Sequence, residues 1–101
     1  MLKQIIIEEC KKYGYELSWE EDDYLHFVNN NVREELSCFC VRIYEELNYV
    51  SMAIIIDLGS WNDAIDSDIN NLEDIKDNIR SWLNEKNLKE VEKYFLESEV
   101  E

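Results

Sequence analysis

Leu36 to Leu58 reads LSCFCVRIYEELNYVSMAIIIDL, two apolar runs of period two separated by Glu45, Glu46, Leu47 and Asn48. In the first run Phe39, Val41 and Ile43 fall on one face, and Leu36, Cys38, Cys40, Arg42 and Tyr44 on the other. Strict alternation of this kind predicts a strand with one buried face. The second run, residues 49–58, is the most apolar segment of the chain, with Val50, Met52, Ile54, Ile56 and Leu58 facing one way. It predicts a central strand, and the turn between the runs makes the pair antiparallel.

Upstream, Tyr15, Leu17 and Trp19 alternate with Glu16, Ser18 and Glu20, which predicts another half-buried strand. Glu20 to Asp23 reads as a turn, Tyr24 to Asn29 as the returning strand, and Asn29, Asn30 and Asn31 as a loop, since Asn tolerates left-handed backbone. The chain begins with Leu2, Ile5, Ile6, Cys10 and Tyr13 at helical spacing, followed by Gly14 as a stop, so a helix is predicted over 2–13. Downstream of Gly59 the period lengthens: Ile65, Ile69, Leu72, Ile75, Ile79 and Trp82 or Leu83 step by three and four. This stripe predicts an amphipathic helix, beginning either near Ser60 or at about residue 72 behind an Asn70 or Asn71 cap. Asn87 with Glu90 forms a capping-box pattern ahead of Leu88, Val91 and Phe95, which predicts a last helix. The expected fold is α+β: an N-terminal helix, a four-stranded antiparallel sheet and two C-terminal helices (αββββαα) in two layers, one domain over residues 1–101.

The charge is the second decisive feature. Twenty-four acids against ten Lys and Arg give a formal charge of -14 on 101 residues. The acids are segregated as well as numerous. From Ile43 to Ile75 there is no Lys or Arg, and from Tyr13 to Val32 there is none either. Yet 46% of the chain is hydrophobic and 12% aromatic, too apolar for a disordered acidic tail. Such a surface repels nucleic acid and anionic membranes and attracts basic proteins. No secretory apolar region and no membrane-length span occurs, and three cysteines without framework spacing fit a reducing compartment. A cytoplasmic location is expected. Abundant Ile and Asn with no Pro point to an AT-rich gene, of a bacterium or of a phage in its host.

Three constellations invite chemical readings. Cys38 and Cys40 share a strand face that His26 could join, with Cys10 on the first helix, but the C-x-C spacing is not that of a structural zinc site. Apolar, acidic surroundings also raise a thiol pKa, which argues against a cysteine nucleophile. Asp66, Asp68, Asn70 and Asp77 stand where positions 1, 3, 5 and 12 of a calcium loop would be, a partial resemblance to the EF-hand. It lacks the turn glycine and the final glutamate, and the helical stripe runs through it. An acidic helix N-terminus explains the same residues better. Trp61, beside Asp57, Asp63, Asp66 and Asp68, is either a lid on the core or an exposed anchor ringed by acids.

The expectation is therefore a non-enzymatic, cofactor-free and metal-free inhibitor that binds a basic protein, a nuclease or other nucleic-acid-binding protein, and does not itself bind nucleic acid. In size, acidity and compactness the chain resembles phage anti-CRISPR proteins and nuclease-toxin immunity proteins, a resemblance of composition that transfers no residue roles. The predicted partner-binding residues are Asp57, Trp61, Asp63, Asp66, Asp68, Glu73, Asp74 and Asp77, with Glu20, Glu21, Asp22 and Asp23. The competing readings are a generic interaction or oligomeric domain whose acidity serves solubility, as monomer or homodimer, and a small enzyme or ligand-binding protein using Tyr24, His26, Arg42 and Tyr44 on the sheet.

Overall fold

The computed structural model describes residues 2–54 and 64–99, with the side chains of 35 and 94–99 outside the description. In chain order the elements are α1 (Leu2–Lys11), β1 (Glu16–Glu21), β2 (Tyr24–Val28), β3 (Cys38–Tyr44), β4 (Tyr49–Ile54), β5 (Ile65–Asp68), α2 (Leu72–Leu83) and α3 (Glu85–Glu99). Short 3-10 turns, Glu34–Leu36 and Glu45–Leu47, flank β3. The α+β class, the N-terminal helix and the two C-terminal helices are as the sequence predicts. The sheet has five antiparallel strands in the order β1-β2-β3-β4-β5, one more than predicted.

The extra strand comes from the segment read as the start of the helical stripe. Ile65 pairs with Met52 and Ser67 with Val50 on the core face, while Asp66 pairs with Ser51 and Asp68 with Tyr49 on the other. Strand and helix bury their apolar side against the same core, so Ile65 and Ile69 fall in phase with the α2 stripe although neither is helical. The predicted cap is at Asn71, whose Oδ1 accepts the Asp74 N–H at 3.1 Å, and α2 buries Ile75, Ile79, Trp82 and Leu83. α3 starts three residues before the Asn87 pattern. Asn84 caps it by accepting the Asn87 N–H at 2.9 Å, and Asn87 instead donates to the Trp82 carbonyl at 2.7 Å.

At the other end of the chain α1 closes as the sequence indicates. Gly14 has φ +85°, its N–H donates to the Lys11 carbonyl at 3.0 Å, and the Tyr15 N–H reaches back to the Cys10 carbonyl at 3.2 Å. These two bonds form a Schellman motif, which needs a left-handed residue at its turn. The core lies between the sheet and α1 and α2: Ile6, Cys10, Tyr15, Leu25, Phe27, Phe39, Val41, Val50, Met52, Ile75 and Ile79 are all fully buried. Helices cover this one face of the sheet. Glu9 is buried, its carboxylate 3.1 Å from Lys12 Nζ.

The predicted face assignment of β1 needs a correction. The register slips between Leu17 and Trp19, so Ser18 is an extra residue in a β-bulge. Tyr15 is buried and Leu17 half-buried on the core side, but the bulge turns Trp19 onto the opposite face, where it is 47% exposed. Glu20 and Glu21, read as turn residues, extend β1, and the turn itself is Asp22 and Asp23.

Candidate functional site

Antiparallel pairing decides where the acids collect. Because Tyr24 pairs with Arg42, the turn between β1 and β2 lies at the same end of the sheet as the connection between β3 and β4, and the Ile43 N–H donates to the Asp23 carbonyl at 2.8 Å. The Tyr49–Asp68 pair and the Ile69 N–H to Asn48 carbonyl bond at 3.0 Å bring the end of β5 to the same place. Asp22, Asp23, Glu45, Glu46 and Asp68, from three separate segments, thus share one end of the molecule. Glu73 and Asp74 follow in the first turn of α2, where the helix dipole favours negative charge. Asp22, Asp23, Glu45, Glu46 and Leu47 border a shallow depression of about 370 Å3, with Leu47 65% exposed.

The predicted site residues are thereby divided. Glu20 is 3.5 Å from Lys3 Nζ, which also donates to the Glu21 carbonyl at 2.9 Å, so that corner is partly compensated. Asp77 lies on an exposed turn of α2 in an ion pair with Arg80. Asp66 and Asp68 project from β5 on the face away from the helices, and Asp68 accepts the Asn70 N–H at 2.8 Å. The strand and α2 therefore run through the segment that a calcium loop would have to wrap, and among the described residues no three His, Cys, Asp or Glu side chains converge to hold a metal. Asp57, Trp61 and Asp63 lie outside the described residues. Glu45 and Glu46 were absent from the predicted site. Their position in the turn between two strongly apolar strands was legible, and only the neighbouring hairpin, a long-range pairing, was not.

The face of the sheet away from α1 and α2 is unusually aromatic. Trp19 stacks on His26 with ring centroids 5.6 Å apart and lies 4.9 Å from Tyr24, while the Arg42 guanidinium sits 5.1 Å over the Tyr24 ring. Across β3 and β4, Tyr44 and Tyr49 stack at 4.6 Å. The cross-strand register makes this possible: Trp19 faces His26, Tyr24 faces Arg42, and Tyr44 faces Tyr49. Tyr24, His26, Arg42 and Tyr44, grouped by the sequence, therefore do share one face.

Three of its titratable groups, Tyr24, His26 and Cys40, form one hydrogen-bonded cluster. Cys40 is fully buried, accepts the Tyr24 hydroxyl at 2.8 Å and lies 3.2 Å from His26 Nδ1. Burial raises the Cys40 thiol, while the Tyr24 hydrogen bond pulls the other way. Burial also lowers His26 below its usual value and raises Tyr24, with the Cys40 contact adding to the latter. All three are held neutral near pH 7, where a thiol nucleophile would need to be a thiolate. Cys10 is in the core on the far side of the sheet, its thiol raised by burial and by Glu9. On the tyrosine pair, desolvation, then Tyr44 and the Asp66 carboxylate, raise the Tyr49 hydroxyl.

Among the described residues no helix is long and apolar enough to cross a membrane. Set against family models, curated proteins and solved structures, the chain matches none of them.

Proposed function

We propose that the protein is a binding inhibitor that seats its acidic end on the basic, nucleic-acid-binding surface of a partner protein, its carboxylates standing in for phosphates. The observation that supports this is the convergence of Asp22, Asp23, Glu45, Glu46 and Asp68 from three segments onto one end, beside the acidic first turn of α2. The turns and strand end that carry these groups are tied into one hydrogen-bonded sheet, and preorganised charge loses less entropy on binding. A solvating surface needs acids but not their concentration at one end. Carboxylates so placed raise the encounter rate with a basic partner and discriminate against acidic ones.

Purified partner, captured and identified, supplies the test. Its complex should weaken as salt rises, and DNA or RNA should displace the inhibitor. Neutralising Asp22, Asp23, Glu45 and Glu46 together, to Asn and Gln, should cost far more affinity than Glu85→Gln with Glu90→Gln on α3. Equal losses from the two sets, or a complex indifferent to nucleic acid, would reduce the acidity to a solubility feature.

A further inference from the structure

Arg42 on β3 lays its guanidinium over Tyr24 on β2, 5.1 Å from the ring centroid. On the other side of β3, Tyr44 and Tyr49 form a second aromatic platform, 4.6 Å apart and tilted by 23°. Asp68 is the register partner of Tyr49 and Asp66 that of Ser51, so both carboxylates stand on the strand beside this platform. Both are exposed, and among the described residues neither takes part in a salt bridge. Tyr44, Tyr49, Ser51 and Asp66 border an open depression of about 410 Å3. Arg42 borders it too, with its guanidinium over the Tyr24 ring on β2.

Resting on the reading that the partner is basic, we propose that Tyr44 and Tyr49, with Asp66 and Asp68, receive one arginine side chain of that partner. A guanidinium is flat, weakly hydrated and forked. It can stack on a tyrosine ring while its edge meets a carboxylate, whereas an ammonium offers a compact, strongly hydrated charge with no plane to stack. The two halves of the receptor, ring face and carboxylate, come from β3, β4 and β5, which the sheet holds in fixed register. The aromatic platform contributes contact area of the kind enriched with arginine at the centre of interfaces, and the aspartates contribute charge complementary to a guanidinium.

The experiment titrates the full-length protein with capped tetra-arginine and, separately, capped tetra-lysine, following backbone and tyrosine-ring NMR signals. Saturable shifts at Tyr44, Tyr49 and Asp66 with tetra-arginine, absent with tetra-lysine, are expected. Tyr49→Leu should weaken the peptide about two- to fivefold, as expected for one exposed cation–aromatic contact, and Tyr49→Phe should retain it. Tyr44→Leu and Asp66→Asn give independent reads should Tyr49→Leu disturb β4. Shifts confined to Asp22, Asp23, Glu45 and Glu46 would overturn the receptor and leave the acidic-end proposal standing. Equal responses to both peptides at the tyrosines would overturn arginine selection, and no saturable binding anywhere would sink both proposals.

Discussion

Gly14 shows how much one residue can fix. It sits at φ +85° where α1 ends, and a β-carbon added there would stand 3.1 Å from Asn29 Nδ2. Asn29 is itself buried and committed: its amide donates to the Tyr13 carbonyl and its Oδ1 accepts the Asn31 N–H at 2.8 Å. Gly14→Ala therefore meets two costs, a left-handed backbone that opposes a side chain and a neighbour that cannot retreat without losing its bonds. A loss of about 1 to 2 kcal/mol is expected, read as a lower urea midpoint at unchanged slope. An unchanged midpoint would mean that α1 ends without the Schellman turn. The glycine was legible in the sequence because it follows a helical stripe directly. The bulge at Ser18 was not, because an inserted residue leaves the letter pattern Tyr15, Leu17, Trp19 intact while reversing the face of the last member. That reversal exposes Trp19, a tryptophan the sequence alone would bury.

At the scale of elements, α2 and α3 meet at Asn84 without a linker. Its Nδ2 donates to the Arg80 and Ser81 carbonyls at 2.6 and 3.2 Å, closing α2, and its Oδ1 accepts the Asn87 N–H, opening α3. Asn71 does one such job, the N-cap of α2. Truncating an N-cap to Ala costs about 1 kcal/mol, so Asn71→Ala should lose about that much. Asn84→Ala strips partners from both helices and should lose about twice as much, measured by the same chemical denaturation. Equal losses would mean that the α2 carbonyls find water as readily as the side chain. The helices were readable because periodicity accumulates over a dozen residues. β5 was missed because four residues are too few to separate period two from the helical stripe that follows, and because a strand at a sheet edge is defined by its partner.

The molecule as a whole must hold fourteen more acids than bases in one fold. The sequence showed that excess, and showed that it is unevenly spread. What it could not show is which acidic stretches become neighbours, since that depends on hairpins set by long-range pairing. The stretches around Asp22 and Glu45 lie about twenty residues apart in the chain and at one end of the fold. Charges a few ångströms apart repel strongly at low ionic strength, where the screening length is roughly 30 Å, and weakly at high salt, where it falls to a few ångströms. Salt should accordingly stabilise this protein, against the usual indifference of a neutral domain. Between about 10 mM and about 500 mM NaCl at pH near 7, the melting temperature should rise by about 4 to 8 °C, equivalent to ~1 kcal/mol for a domain of this size. Nearer the isoelectric point of about 4.3 the net charge falls towards zero, so the same salt step should give a smaller rise. Neutralising Asp22, Asp23, Glu45 and Glu46 should lessen the salt effect more than neutralising four acids scattered over the helices, because repulsion depends on proximity and not on the total. A melting temperature indifferent to salt at neutral pH would show instead that the acidic end is already compensated, and such an end would have little charge left with which to attract a basic partner.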